Sequence, residues 1–166
     1  MDVSIRRAVP ADLPALQVLY QQLDDHHALA EPEVVPMHGE APRAIADIEA
    51  QIRDDVLLVA VDTDGSESEG RVLGFARVRV NDLGPYFRFQ AVAEVEDLAV
   101  LDGSRGLGIG TRLMRAAEEW AVSAGFPEIW VSAWTFNEPA ASLYQREGFR
   151  PLSTRYRKRI IPTADR

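Results

Sequence analysis

The stretch Arg105-Gly106-Leu107-Gly108-Ile109-Gly110 constrains this chain more than any other. It separates an apolar run, Val95 to Leu101, from an amphipathic segment that begins at Thr111. Glycines at alternate positions remove the Cβ atoms that would block an approaching anion. The helix that follows then presents amide N–H groups without intrahelical partners at its positive dipole end. Strand, glycine turn and helix in that order build a cradle in which a pyrophosphate fits. A solvent-exposed strand-to-helix turn with no ligand also favours glycine, so the rest of the chain decides what the turn means.

Two phosphate motifs fit poorly. A Walker sequence ends Gly-Lys-Ser/Thr, whereas Gly110 is followed by Thr111 and Arg112, with no lysine to reach a terminal phosphate. The dinucleotide fingerprint follows the first strand of a βαβ unit, whereas this turn lies past residue 100 and has Thr111 where the third glycine belongs. The spacing does match Arg/Gln-x-x-Gly-x-Gly. Downstream, Asn137-Glu138-Pro139-Ala140-Ala141-Ser142-Leu143-Tyr144-Gln145-Arg146-Glu147-Gly148-Phe149 is similar to Asn-x-x-Ala-x-x-Leu-Tyr-x-x-x-Gly-Phe. On these two motifs, in this order, the chain resembles the GNAT N-acetyltransferase superfamily from about Ile5 to Tyr156.

Composition sets bounds. The 166 residues, 46% hydrophobic, suit one domain over residues 1–166 with a core from about residue 3 to 160. No apolar run approaches the ~20 residues of a membrane span, and Asp2, Arg6 and Arg7 interrupt any secretory core, so a cytoplasmic protein with no membrane partner is expected. The absence of cysteine excludes disulfides and a cysteine nucleophile. A net charge of −8 argues against nucleic-acid binding. From Asp24 to Glu69 there are thirteen Asp/Glu against two Arg/Lys, while Arg146 to Arg166 holds seven Arg/Lys against two Asp/Glu. The acidic portion is either an entrance that attracts cationic amines or an ordinary solvated surface.

Periodicity predicts a strand at Val3 to Arg7, a helix opened by Pro10-Ala11-Asp12 and running to about His27, and an irregular connection from Ala28 to Pro42. A second helix is expected near Arg43 to Arg53, and strands at Val56 to Asp62, Arg71 to Asn81 and Ala91 to Leu101, with a mobile hairpin loop at Thr63 to Gly70. A helix from Thr111 to Ala124, a strand from Glu128 to Thr135 and a helix from Pro139 to Glu147 follow. A closing strand pair, Phe149 to Leu152 and Thr154 to Ile160, ends the series. The resemblance implies an α/β (α+β) single-domain GNAT fold: a mixed, mostly antiparallel sheet of about seven strands with four helices, in the order β-α-α-β-β-β-β-α-β-α-β-β.

The resemblance also implies acetyl-CoA as cosubstrate, no metal, and direct transfer to an amine in a ternary complex. The acceptor expected is a small-molecule cationic amine. A peptide N-terminus or lysine, and a non-catalytic acyl-CoA-binding module, are the alternatives, and a homodimer is left open. Backbone groups of Leu98, Ala99 and Val100 would meet the pantetheine arm. The amides of Gly106, Leu107, Gly108, Ile109, Gly110 and Thr111, with Arg105 beside them, would hold the pyrophosphate. Tyr144 stands where the family commonly has a tyrosine beside the coenzyme sulfur. A phenol of pKa ~10 is protonated at neutral pH and can donate to a thiolate, unless Leu143 and Tyr144 only anchor a helix. Asn137 is either a coenzyme contact or a helix N-cap.

Glu96 is the candidate base, in a Glu96-Asp97-Leu98 run that looks like that of the spermidine/spermine acetyltransferase branch. Strict alternation puts Glu94 and Glu96 on one face and Asp97 on the other, and Glu96 competes with a plainer role as partner of Arg77 or Arg79 across strands. His26 and His27, with Asp97 and Trp134, are the candidate acceptor contacts, the histidines competing with solvated or helix-capping roles. Adjacent histidines on a helix diverge too far for a joint metal site, and His38 is uncoupled from them. Trp130, Trp134 and Phe136 share one strand parity, which favours core packing over an aromatic substrate box.

Overall fold

Val56 to Val61 is an unbroken apolar run, and every residue in it is buried. A strand without a polar face needs cover on both sides. The computed structural model supplies it, with helices on each face of one sheet. The structure describes residues 2–37, 39, 43–64 and 70–160. Within them lie β1 (Val3–Arg7), α1 (Leu13–Ala30), α2 (Ile45–Asp54), β2 (Val56–Asp62) and β3 (Arg71–Asp82). There follow β4 (Ala91–Val100), α3 (Ile109–Ser123), β5 (Ile129–Val131) and α4 (Glu138–Arg146). The strands lie in the order β1-β2-β3-β4-β5, antiparallel except for the parallel pair β4 and β5. Parallel neighbours need a crossover, and α3 is it.

Two apolar layers result. On one face α1 and α2 pack Leu16, Leu19, Tyr20 and Ile48 against Leu57, Val59, Val61 and Phe75. On the other, α3 packs Ile109, Leu113, Met114 and Ala117 against Leu58, Ala60, Ala76, Val78, Ala93 and Val95. The entry to α1 is pinned by Asp12, which accepts from both Arg6 nitrogens at 2.7 and 2.8 Å and from the Val9 amide at 2.8 Å. Burial pushes the Asp12 carboxyl upward, but Arg6 and the Val9 amide outweigh it and hold the group below its ordinary value.

The described residues depart from the expected pattern in strand number, order and element bounds. The sheet has five strands rather than about seven. Three strands, not four, separate α2 from α3, because β3 turns directly into β4 with Leu83 N donating to Gln90 O at 2.8 Å. The strand expected over Glu128 to Thr135 contracts to Ile129–Val131 because the chain leaves β4 there. The closing pair over Phe149 to Ile160 is absent as strand, and residues 150–160 are exposed. Pro151 has no N–H to give a ladder, and the cations of this segment go elsewhere: Arg157 reaches Glu31 at 3.2 Å and Arg159 approaches Glu33 at 3.8 Å. α1 runs to Ala30, past His27, and α3 starts at Ile109, two residues before Thr111. His38 and most of the Thr63 to Gly70 loop lie outside the described residues. No helix among those described is long and apolar enough to cross a membrane.

Gly74 lies where β3 passes closest to β4. A Cβ there would stand 2.7 Å from Ala99 O and 3.3 Å from the Val100 Cα, both main-chain atoms of a central strand that cannot yield cheaply. Gly74→Ala is therefore expected to lower unfolding free energy by ~1–3 kcal/mol, read as an earlier urea midpoint. An unshifted midpoint would mean that the two strands part at no cost.

Candidate active site

The site begins with an irregularity in β4. Arg77 faces Asp97 across the ladder, while the next residue, Val78, faces Val95, so Glu96 is an extra residue with no partner. This is a β-bulge. Its effect on side-chain direction is visible in the core: Ala93 and Val95 point to the α3 face, and so do Leu98 and Val100, a change of parity between the two pairs. Glu96 and Asp97 both end up beside Arg77 on the other face, which corrects the expectation that alternation would separate them.

The bulge also ends the pairing of β4 with β5. Their ladder covers only Ala93, Glu94 and Val95 against Ile129, Trp130 and Val131, and beyond it the strands have no register. Leu101 N donates to Leu73 O at 2.8 Å. In an antiparallel ladder alternate residues address the same neighbour, so Ala99 and Leu101 face β3, and the backbone groups of Leu98 and Val100 face the gap where β5 has departed. Ala99 thus differs from its two neighbours, its backbone being turned to β3.

At the end of β4 the chain enters the glycine turn. Gly106 and Gly108 have φ of +79° and +76°, a region that side chains avoid, and a Cβ on either would meet nothing within 4 Å. Gly108 is the N-cap of α3, and no side chain caps that end. The first amides of α3, from Ile109 to Thr111, are therefore left without intrahelical partners and face an open approach, which suits an anion. Gly110 serves packing instead: its missing Cβ would stand 3.2 Å from Leu143 Cδ2. Arg105 is exposed and pairs with Asp102 at 2.9 Å.

Tyr144, on α4, packs against the same apolar layer as Leu98, Val100 and Ile109, with its ring 6.0 Å from that of Phe149. Burial pushes its phenol up to about 12, so it stays protonated throughout the neutral range and is available as a donor. Asn137 is the N-cap of α4, its Oδ1 accepting from Ala140 N at 3.2 Å.

The opposite face of the sheet carries a charged network, in which Glu96 takes the cross-strand role beside Arg77 and Arg79 that the sequence offered, while Asp55, Asp24, Arg43 and Tyr20 join it unannounced. Arg77 donates from Nε to Asp97 at 2.6 Å, from Nη1 to Asp55 at 3.2 Å and from Nη2 to Glu96 at 2.5 Å. Arg79 donates to Glu96 Oε1 at 3.0 Å, so both oxygens of the candidate base carry guanidinium bonds. Glu94 instead accepts from Asn81 at 2.6 Å. Arg43 chelates Asp24 with two bonds of 2.8 Å, lies 3.8 Å from Asp97, and covers the ring of Tyr20 at 4.3 Å. Tyr20, fully buried, donates to Gln51 Oε1 at 2.6 Å; burial and then Asp97 push its phenol well above the ordinary value. Spaced with Leu13, Leu16, Leu19 and Leu23, Tyr20 reads in the sequence as part of one apolar helix stripe. The signal it contained was the hydroxyl, which needs a partner once the ring is inside.

His26 and His27 meet Trp134 and Phe136 across the site. Ring centroids are 5.6 Å apart for His26 and Phe136, 5.7 Å for His27 and Trp134, and 6.0 Å for His27 and Phe136. Trp134 lies beyond the end of β5 and is 38% exposed, so the core role favoured by strand parity does not describe it. Trp130 is separate, packed against Phe87 at 5.8 Å. Among the described residues no three His, Asp or Glu side chains are grouped to hold a metal ion.

A five-stranded sheet whose fourth strand bulges, parts from the fifth and runs through a glycine turn into a helix defines an acetyltransferase-type fold. The acetyltransferase (GNAT) family model matches residues 20–149, and the chain belongs to that family. The chain is 35% identical over 101 residues to the streptothricin acetyltransferase of Streptomyces lavendulae, a match covering 61% of this chain and 48% of that one. This chain therefore spans about half the length of that relative. It is 29% identical over 154 residues to the L-methionine sulfoximine/L-methionine sulfone acetyltransferase of Pseudomonas paraeruginosa, covering 90% of this chain and 81% of that protein. Among solved structures, a mutant of the BH1408 protein from Bacillus halodurans superposes with a TM-score of 0.84 at 19% identity, over 95% of this chain and 99% of that one. The aminoglycoside N-acetyltransferase AAC(6')-Iy in complex with CoA superposes with a TM-score of 0.71 at 21% identity, over 96% of each chain.

The cradle predicts its own disruption. Gly108→Glu forces a side chain into a left-handed position and places a negative charge before the α3 amides. Coenzyme affinity should fall by an order of magnitude or more, read by calorimetry with acetyl-CoA on protein shown to be folded. Unchanged affinity would remove the cradle from the coenzyme site.

Proposed function

We propose that this chain moves the acetyl group of acetyl-CoA to the primary amine of a small cationic molecule, by direct attack in a ternary complex. The observation that carries the proposal is the continuity of the gap at Leu98 and Val100 with the uncapped N-terminus of α3. One strand end thus offers backbone partners for a pantetheine arm and amides for a pyrophosphate. The amides from Gly106 to Thr111 hold the phosphates, with Arg105 beside them, and Leu98 and Val100 hold the amide-bearing arm. Bound acetyl-CoA supplies a thioester carbonyl and a thiolate leaving group. The Tyr144 phenol, protonated and packed against the same apolar layer as Leu98, donates its proton at that sulfur. Asn137, with Oδ1 committed to capping α4, has its Nδ2 left to meet the coenzyme.

Glu96 takes the ammonium proton in this reading. The bulge turns it out of the ladder, and Arg79, half exposed, is the partner able to swing away and free Oε1. The acceptor's charge is supported by the acidic composition of the first half of the chain and by the likeness of Glu96-Asp97-Leu98 to the run of the spermidine/spermine acetyltransferase branch. A thiol-release assay with acetyl-CoA over a panel of diamines, aminoglycosides, amino acids and peptides tests the whole reading. Acetyl-CoA binding without thiol release from any amine would make the chain an acyl-CoA-binding module instead.

Two substitutions divide the roles. Tyr144→Phe removes the donor and keeps the ring, so turnover should fall by ~10²-fold while acetyl-CoA affinity stays within a few-fold. Wild-type turnover with chemistry rate-limiting would leave Tyr144 as packing. Glu96→Gln keeps the shape without the proton acceptor. The rate should drop at neutral pH and recover partly as pH rises, because more of the acceptor then arrives as free amine. A pH–rate profile parallel to wild type would assign Glu96 to holding Arg77 and Arg79.

A further inference from the structure

The four rings of His26, His27, Trp134 and Phe136 come from opposite ends of the chain and belong to neither apolar layer. Trp134 and Phe136 sit on the loop that continues β5 past Val131, where the strand has left β4. The histidines sit in the last turns of α1, with Asp24, Asp97 and Arg43 near enough to act on the charge of His27. We propose that these rings form a wall for a second, non-reacting ammonium group of the acceptor, so that the substrate class is a diamine-like cation. The inference rests on the amine-acceptor reading above and specifies which part of the acceptor is recognised, and by what.

Three observations favour a cation there. Aromatic faces attract cations through their quadrupole, most strongly at tryptophan, and Trp134 keeps part of its surface open. The site lies at the C-terminal end of α1, the end of a helix dipole that attracts positive charge. The carboxylates of the network behind it, Asp24, Asp55, Glu96 and Asp97, outnumber its guanidinium groups, Arg43, Arg77 and Arg79, by four to three.

His27 fits beside a bound cation only if it is uncharged. Burial first, then His26, pushes the affinity of His27 for a proton below the ordinary value, while Asp24 and Asp97 pull upward and Arg43 downward. His27 is therefore neutral at neutral pH and becomes a repelling charge only in more acidic solution. Cation binding by the wall should accordingly be full at neutral pH and lost as pH falls below the ordinary histidine range.

The test titrates the full chain with tetramethylammonium chloride, a cation with no N–H, against sodium chloride at equal ionic strength. The readout is the indole ¹H–¹⁵N signal of Trp134, one of three tryptophans and assigned by its loss in Trp134→Phe. A saturable shift with tetramethylammonium alone is expected, weakened about 2- to 30-fold in Phe136→Leu and weakened again in acid. In the thiol-release assay, putrescine should show a lower KM than n-butylamine, and Phe136→Leu should shrink that advantage. A Trp134 signal indifferent to tetramethylammonium would overturn the wall even if amines were acetylated. A clear shift with no thiol release from any amine would leave the wall standing and overturn acetyl transfer.

Discussion

One guanidinium holds the arrangement on which both halves of the site depend. Arg77 spends its nitrogens on Asp97, Asp55 and Glu96, joining the bulged part of β4 to the junction of α2 with β2. Two successive carboxylates on one face of a strand repel each other, and removing them from water adds to the cost, so a bulge of this composition needs a matched cation. Burial works against the charge on Arg77, but Asp97 outweighs it and the group is held more firmly protonated than an ordinary arginine. The bulge in turn ends the ladder to β5 at Val95. Without that ending, the backbone groups of Leu98 and Val100 would be consumed in the sheet and no gap would adjoin the glycine turn.

The glycine turn and the cap of α4 were legible in the sequence because their requirements are local. A left-handed φ at Gly106 and Gly108 and an Asn137 side chain over the first turn of α4 involve neighbours within a few residues. The separate segments from β1 to α4 were legible for the same reason, through periodicities that each carries by itself, whereas the order implied by the resemblance put four strands between α2 and α3 where there are three. The bulge was not. Period-two alternation assumes an unbroken ladder, and nothing in the spelling of Glu94 to Leu98 says where a residue will be left over. The closing strands failed differently: residues 149–160 alternate plausibly, but a strand requires an edge to pair with, and that edge is a property of the whole sheet.

Charge shows the same division between segment and site. The thirteen acidic residues from Asp24 to Glu69 suggested an acidic entrance, yet Arg43, one of only two basic residues in that stretch, closes over Tyr20 and takes Asp24. Arg77 and Arg79, from a different strand, take most of the remaining carboxylates near the bulge. A count along the chain therefore overstates the field at the site, because folding selects which charges meet. Selectivity for a cation then has to come from groups that remain open, and around His27 those are rings.

The two halves of the site are built from different materials. The proposed coenzyme side would use main-chain amides, helix-end dipoles and the absence of Cβ atoms, none of which depends on a particular side chain beyond glycine. The proposed acceptor side would use Arg77, Arg43, Tyr20, His27 and Trp134, each specified by identity and brought together from separate elements. A backbone-built cradle survives wide drift in sequence, while a side-chain-built pocket can be replaced residue by residue without disturbing it. That separation lets one fold keep a fixed donor and change its acceptor. In this chain the dividing line is the bulge at Glu96, with Leu98 and the turn on one side and the arginines and rings on the other.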